Sequence, residues 1–257
     1  MDKLQVVKVG GNVIENRESL NDFLVDFTKI RGAKILVHGG GKEATQMAHK
    51  LNIPVQIIEG RRVTDKANLE IISMLYAGKL NKTIVALLQS YNCDSLGLTG
   101  ADGNSVVAKK RSSKPIDFGF VGDIISVNSA LFNLLLNQKI TPVCCAVTHD
   151  KNGQLLNTNA DTIAAEIASS MSVYFEVTLS YCFEKKGVLK KLMDEDSVIP
   201  SINLNQYEYL KKERIINEGM LPKIKNCFDA LRKGVSMVRI GNSKMITESN
   251  EYTQIKL

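Results

Sequence analysis

Two spacings of apolar residues alternate along this chain. Short β-branched and apolar runs at residues 5–9, 34–37 and 174–180 have the length and composition of buried strands. Between them apolar residues recur every three or four positions, as in Leu20, Phe23, Leu24, Phe27 and Ile30, then Ala44, Met47, Ala48 and Leu51, and later Ile163, Ala164, Ile167, Ala168 and Met171. Such spacing gathers them on one face of a helix. The opening therefore reads β-α-β-α. Residues 54–63 read as extended, and Thr64 or Asp65 caps a helix carrying Leu69, Ile72, Leu75 and Tyr76, with a break expected near Gly78 before Ile84, Leu87 and Leu88. Further strands are expected from Leu96 and over 106–109, 119–127 and 140–147, the last interrupted by Pro142. Helices are expected over 131–136 and 206–213, and another opens at Pro222 with Ile224, Cys227, Phe228 and Leu231. This alternation predicts an α/β fold whose mostly parallel sheet is covered on both faces.

Two of the strands end in glycine. The first runs into Gly10 and Gly11, the second into His38 followed by Gly39, Gly40 and Gly41, and a helical pattern follows each. A glycine turn at the carboxyl end of a strand presents backbone N–H groups, lets an anion come close and adds the positive end of the next helix. Either turn alone is explained by chain reversal; the pair suggests a two-sided phosphate cradle. Lys8 lies one residue before the first glycine pair, so a lysine facing the cradle would be a fixed cation there, whereas one facing away would be a surface charge. Lys223 follows Pro222 in a first helical turn, where the helix dipole disfavours a cation unless an anion is near. Asn157 to Asp161 leads straight into a helix, where Asn and Asp act as caps. Arg61 and Arg62 precede another helix and suit a carboxylate, with alternation along an extended strand sending the two to opposite faces.

Composition narrows the chemistry. At 257 residues with 44% apolar content the chain can form one α/β domain or two closely packed lobes. Its five cysteines show no C-x-x-C spacing, which points to reduced buried thiols and away from a metal or disulfide framework. The net charge is +6, but the basic residues are scattered and aromatics make up only 6%, so a small anionic ligand fits better than nucleic acid. With no run of about 18 apolar residues and no export-signal pattern, a soluble cytoplasmic protein without membrane attachment is expected.

With these pieces placed, the sequence resembles the amino acid kinase family over nearly its whole length. The residues that carry the resemblance are Lys8-Val-Gly-Gly11, the His38-Gly-Gly-Gly turn, Gly60-Arg-Arg-Val-Thr-Asp65, Gly97-Leu-Thr-Gly-Ala-Asp-Gly103, Gly119-Phe-Val-Gly-Asp123, Asn157-Thr-Asn-Ala-Asp161 and Gly219-Met-Leu-Pro-Lys223. Each is weak alone; their shared order is specific. The resemblance implies a single three-layer α/β/α sandwich with a mostly parallel central sheet. An amino-terminal lobe of about residues 1–170 would hold an acylated glutamate, and a carboxy-terminal lobe of about 171–257 would hold ATP. It implies phosphorylation of the side-chain carboxylate of N-acetyl-L-glutamate with MgATP, in arginine biosynthesis. By motif position, Lys8 and Lys223 resemble the lysines that stabilise the transferring phosphoryl group, and Asp161 the carboxylate that orients them. Gly40, Gly41, Arg62 and Asn157 match positions that hold the acylated glutamate. Lys8, Gly11, Ser180 and Lys223 match nucleotide contacts, and no protein metal ligand is implied.

One departure stands out. Where the family has an aspartate after Ser180, this chain has Tyr181, and the loop that follows is longer. Alternatives therefore stay open: N-succinyl-glutamate as substrate, to which Arg61 would contribute a cation; glutamate or aspartate as acceptor; or a non-catalytic ligand-binding regulator, with Tyr181 a sign of decay. Because only Met1 to Leu4 precede the first strand, an arginine-insensitive homodimer is expected, joined through its amino-terminal lobes.

Overall fold

The structure is a computed structural model that describes every residue except 59, 192, 217–219 and 248–250, with the backbone alone at Pro222. Gly219 of the last motif thus lies outside the described residues. In chain order the strands are β1 (Lys3–Val9), β2 (Ala33–His38), β3 (Ile57–Ile58), β4 (Arg61–Arg62), β5 (Ser95–Leu98), β6 (Val106–Lys110), β7 (Gly122–Val127), β8 (Thr141–Cys145), β9 (Val147–His149), β10 (Leu155–Asn157), β11 (Glu176–Cys182), β12 (Ser201–Ile202), β13 (Met237–Gly241) and β14 (Thr253–Ile255). The helices are α1 (Gly11–Glu15), α2 (Arg17–Thr28), α3 (Gly41–Lys50), α4 (Lys66–Ile72), α5 (Asn81–Ser90), α6 (Ser129–Asn137), α7 (Ala160–Met171), α8 (Leu204–Lys212) and α9 (Leu221–Arg232).

One eight-stranded sheet, ordered β12-β14-β13-β11-β1-β2-β8-β5, runs through the molecule, and every pairing in it is parallel except β13 with β14. Helices α6, α7 and α9 pack on one face and α2 and α5 on the other, giving the three layers expected from the sequence. β1 lies between β2 and β11, and its Leu4, Val6, Val7 and Val9 are wholly buried. That explains why its sequence is a near-continuous apolar run: a central parallel strand is covered on both sides. Because β1 comes from the first residues and β11 from beyond residue 175, the two expected lobes share one hydrogen-bonded sheet. A second sheet, β10-β9-β6-β7, and the β3-β4 hairpin stand over the carboxyl ends of the main strands.

Two local expectations are corrected, and strands β10, β12, β13 and β14 are added. Residues 140–147 are two strands: Thr141–Cys145 sits in the main sheet, and after Ala146 the chain crosses to the small sheet as Val147–His149. Leu155–Asn157 also forms a strand, too short for its periodicity to be seen in the sequence. The break at Gly78 is absent. Instead α4 and α5 are joined by a π-helical stretch, Ser73–Leu80, so the helix winds on without interruption from Lys66 to Ser90. By length and composition it could cross a membrane, yet Ile72, Leu75, Tyr76, Ile84 and Leu88 are packed into the core.

Candidate active site

Parallel strands deliver their carboxyl ends to one edge, and the glycine-ended β1 and β2 meet there side by side. Helix α7 begins at the same edge. Its cap is Asn159, whose side chain accepts from Thr162 N at 3.0 Å, so the capping role considered for Asp161 is already filled. The Asp161 carboxylate is therefore free to point elsewhere. Its Oδ1 lies 2.8 Å from Lys8 Nζ and its Oδ2 2.7 Å from Lys223 Nζ, with Lys8 12% and Lys223 28% exposed at the side chain. Burial alone would raise this carboxyl, but the charges and hydrogen bonds of the two lysines outweigh it and hold Asp161 well below the ordinary carboxylate range. Lys223 is in the first turn of α9, and Asp161 supplies the anion that its position called for. Two cations around one anion leave the group a net positive charge, suited to an incoming polyanion.

The second glycine turn is held from behind. His38 is wholly buried; its Nδ1–H donates to Gly39 O at 2.9 Å, while Asn81 Nδ2 donates both to His38 Nε2 at 3.1 Å and to Val143 O at 2.9 Å. Burial lowers the His38 pKa to about 4, with the Gly39 carbonyl opposing, so the ring is neutral. The glycines differ in why they are glycine. A Cβ at Gly40 would sit 2.3 Å from Leu80 Cδ1 and 2.9 Å from Tyr76 Cε1, on the π-helical stretch. At Gly11 and Gly41, by contrast, a Cβ would be in ordinary contact, 3.7 Å from Glu15 Oε1 and 3.8 Å from Tyr76 Oη, so packing within the protein does not demand glycine there.

Arg62 ties β4 to α3. Its Nη2 donates to Gly41 O at 2.8 Å and to Thr45 Oγ1 at 2.5 Å, whereas its buried Nη1 has no hydrogen-bond partner among the described residues. Arg61 is exposed and Arg62 half-buried, yet both line the same cavity, so the expected division of the two arginines to opposite faces does not take Arg61 away from it. Asn157 donates through Nδ2 to Thr64 Oγ1 at 2.9 Å, and Asp65 caps α4 by accepting from Asn68 N at 2.8 Å. Lys8, Gly40, Gly41, Arg62, Asn157 and Asp161 line one cavity of about 370 Å³.

Residues 3–242 match the amino acid kinase family. The chain belongs to that family. Acetylglutamate kinases from Cytophaga hutchinsonii and Bacteroides fragilis are 51% and 48% identical over 249 and 239 residues, covering 96% and 93% of this chain and 94% and 92% of theirs. A Streptococcus mutans protein superposes with a TM-score of 0.80 at 23% identity, covering 98% of both chains. Carbamate kinase from Giardia lamblia gives 0.67 at 11% identity, covering 99% of this chain and 98% of that one, and at such identities these likenesses concern the fold.

This amino acid kinase does not bring every expected residue to the cavity. Lys223 joins it through Asp161, and Gly11 opens α1 directly after β1. Ser180, expected at the nucleotide, is wholly buried, and its Oγ accepts from Arg239 Nε at 2.8 Å, so its side chain serves the interior. Within the Gly97–Gly103 motif a Cβ at Gly100 would lie 2.3 Å from Val106 O, so packing demands glycine there, where the loop joins the two sheets. Other cavity residues were missed. Arg111 is held by Asp123, Nη2 to Oδ1 at 2.5 Å, and stacks over the Phe118 ring at 5.6 Å. Lys42 donates to Asn12 Oδ1 and lies 3.6 Å from Glu15 Oε2, linking α3 to α1. Asp123 stood in a quoted motif; Arg111 and Lys42 looked like two scattered charges among many.

Proposed function

We propose that the protein catalyses ATP-dependent phosphorylation of the γ-carboxylate of N-acetyl-L-glutamate to the acyl phosphate, early in arginine biosynthesis. The observation that carries this reading is the Lys8–Asp161–Lys223 group, two ammonium ions held by one carboxylate at the edge where both glycine turns open. The acceptor carboxylate is ionised at neutral pH, since a glutamate-type acid titrates at about 4.3, so no general base is needed. One of its oxygens forms a bond to the γ-phosphorus as the bond from that phosphorus to the β,γ-bridging oxygen breaks, and ADP leaves with the electron pair. The barrier is the approach of anions. Lys8 and Lys223 meet the charge spread over the transferring group, and Asp161 holds them apart at fixed positions so that little reorganisation is required.

On this reading the backbone N–H groups of Gly40 and Gly41, with Arg62 and Asn157, hold the acylated glutamate, and Gly11 with the two lysines holds the ATP phosphates. Both Asp161 oxygens are taken by lysines, and no cluster of three or more His, Cys, Asp or Glu gathers among the described residues. Mg²⁺ fits here as an ion carried by the nucleotide phosphates, whose charge it would offset. Relatives named for acetylglutamate favour the acetylated substrate over N-succinyl-glutamate, and a kinase over a non-catalytic regulator.

The reading also places the reaction in the cytoplasm and makes the assembly a homodimer joined through amino-terminal lobes. Exposed Leu96 on β5, at an edge of the main sheet, supports that contact; light scattering at the monomer mass would argue against it. The activity is tested by offering MgATP, hydroxylamine and in turn N-acetyl-L-glutamate, N-succinyl-L-glutamate, glutamate and aspartate. Hydroxamate should form fastest from N-acetyl-L-glutamate, and preference for another acceptor sinks the assignment.

A further inference from the structure

Tyr181, which stands where the family has an aspartate, is wholly enclosed, and its phenol makes a specific contact. Its Oη donates to the backbone carbonyl of Asp161 at 3.1 Å. Tyr181 is paired in register with Lys8 on the neighbouring parallel strand, so the two side chains leave the same face of the sheet toward the start of α7. Lys8 grips the Asp161 carboxylate and Tyr181 grips its main chain. Lys223 is secured in a similar way: the thiol of wholly buried Cys227 donates to its carbonyl at 3.1 Å. Burial keeps both the phenol and the thiol neutral, raising each well above its ordinary value.

We infer that Tyr181 is a positioning residue for phosphoryl transfer, acting through Asp161: its hydroxyl pins the first turn of α7 to β11 and so sets where the carboxylate holds the two catalytic lysines. The inference rests on the proposed kinase activity and deepens it. A neutral, enclosed phenol cannot offer the nucleotide the carboxylate that an aspartate would, and Tyr181 is absent from the cavity lining. What it can do is hold. A carboxylate that slides along the helix axis moves both lysines relative to the phosphoryl group, and an error of about 1 Å in such a site can cost a hundredfold in rate. Removing one hydroxyl frees only part of that motion, so the expected loss is smaller and falls on kcat.

The experiment compares the unmodified enzyme with Tyr181→Phe and with a protein carrying 4-aminophenylalanine at the same place, which restores an N–H donor. Tyr181→Phe should lower kcat about threefold to tenfold, leave KM for MgATP and for N-acetyl-L-glutamate within about twofold, and keep the thermal midpoint close to that of the parent. The aminophenylalanine protein should recover most of the loss. If Tyr181→Phe does not fold, Tyr181→Met supplies a second side chain without the hydroxyl. Unchanged kcat, a loss confined to KM for MgATP, or no recovery by the amino donor overturns the inference while the kinase reading stands. Absence of turnover by the unmodified enzyme overturns both.

Discussion

Lys8 and Lys223 occupy equivalent stations on either side of Asp161, at 2.8 Å and 2.7 Å, and in the proposed mechanism they act on charge that exists only as the phosphoryl group moves. Replacing either by alanine should lower kcat roughly a hundredfold or more, the scale of losing one preorganised electrostatic group, while circular dichroism stays that of the parent. Near-normal turnover in a well-folded variant would remove that lysine from the mechanism. The glycines permit a sharper contrast. Gly40→Ala drives a methyl into Leu80 and Tyr76 and should cost about 1 to 3 kcal/mol in unfolding free energy. Gly11→Ala finds room, since its Cβ meets nothing nearer than Glu15 Oε1 at 3.7 Å, so stability should hold while kcat/KM for MgATP falls about tenfold or more. Equal stability in the two variants would contradict this division of roles. Lys8, Asp161 and Lys223 were legible in the sequence because each broke a local rule or stood in a motif: a charge in an apolar strand, an acid at a capped helix start, a cation at a helix amino terminus. The role of Tyr181 was not legible. A lone substitution read as decay, and only a contact across twenty positions shows what the hydroxyl touches.

At the scale of elements, the glycine turn after β2 is held by a side chain on the long helix between Lys66 and Ser90. Asn81 supplies donors to His38 Nε2 and Val143 O, so Asn81→Ala leaves two buried acceptors unpaired and should cost about 3 kcal/mol by urea unfolding; a loss under about 1 kcal/mol would show the link to be dispensable. The same link gives a pH signature. With a folded pKa near 4 against about 6.5 unfolded, His38 takes up a proton more readily when unfolded, so stability present above about pH 6.5 is lost as pH falls toward 4, by roughly 3 kcal/mol. Asp161, held low by its lysines, extends the loss below about pH 4. Unfolding free energies that stay flat from pH 7 to pH 4 would contradict the first, and free energies that stay flat below pH 4 the second. The periodicities located every helix but the short α1, and strands β1, β2, β5, β8 and β11, because burial on one face or two leaves a pattern; they did not locate β12, β13 or β14 of the same sheet. They failed where geometry is set from outside: glycine at position 78 suggested a break, but packing of Leu75, Tyr76 and Leu80 carries the helix through as π turns.

Over the whole molecule, the decisive feature is that one sheet joins the first residues of the chain to those beyond 175, with β1 bonded to β2 and β11. The lysine on β1, the glycine turn after β2 and the tyrosine on β11 are thus fixed to a common frame, while α7 and α9 bring Asp161 and Lys223 to it from one face. Such a frame suits chemistry that depends on positions rather than on proton transfer. The most direct test of the Lys8–Asp161–Lys223 mechanism measures ADP and hydroxamate together in one reaction of the purified protein with MgATP, N-acetyl-L-glutamate and hydroxylamine. The mechanism predicts that the two form at equal rates and that both stop when N-acetyl-L-glutamate is left out. ADP release that does not depend on the acylated glutamate, or that runs without hydroxamate, would contradict it.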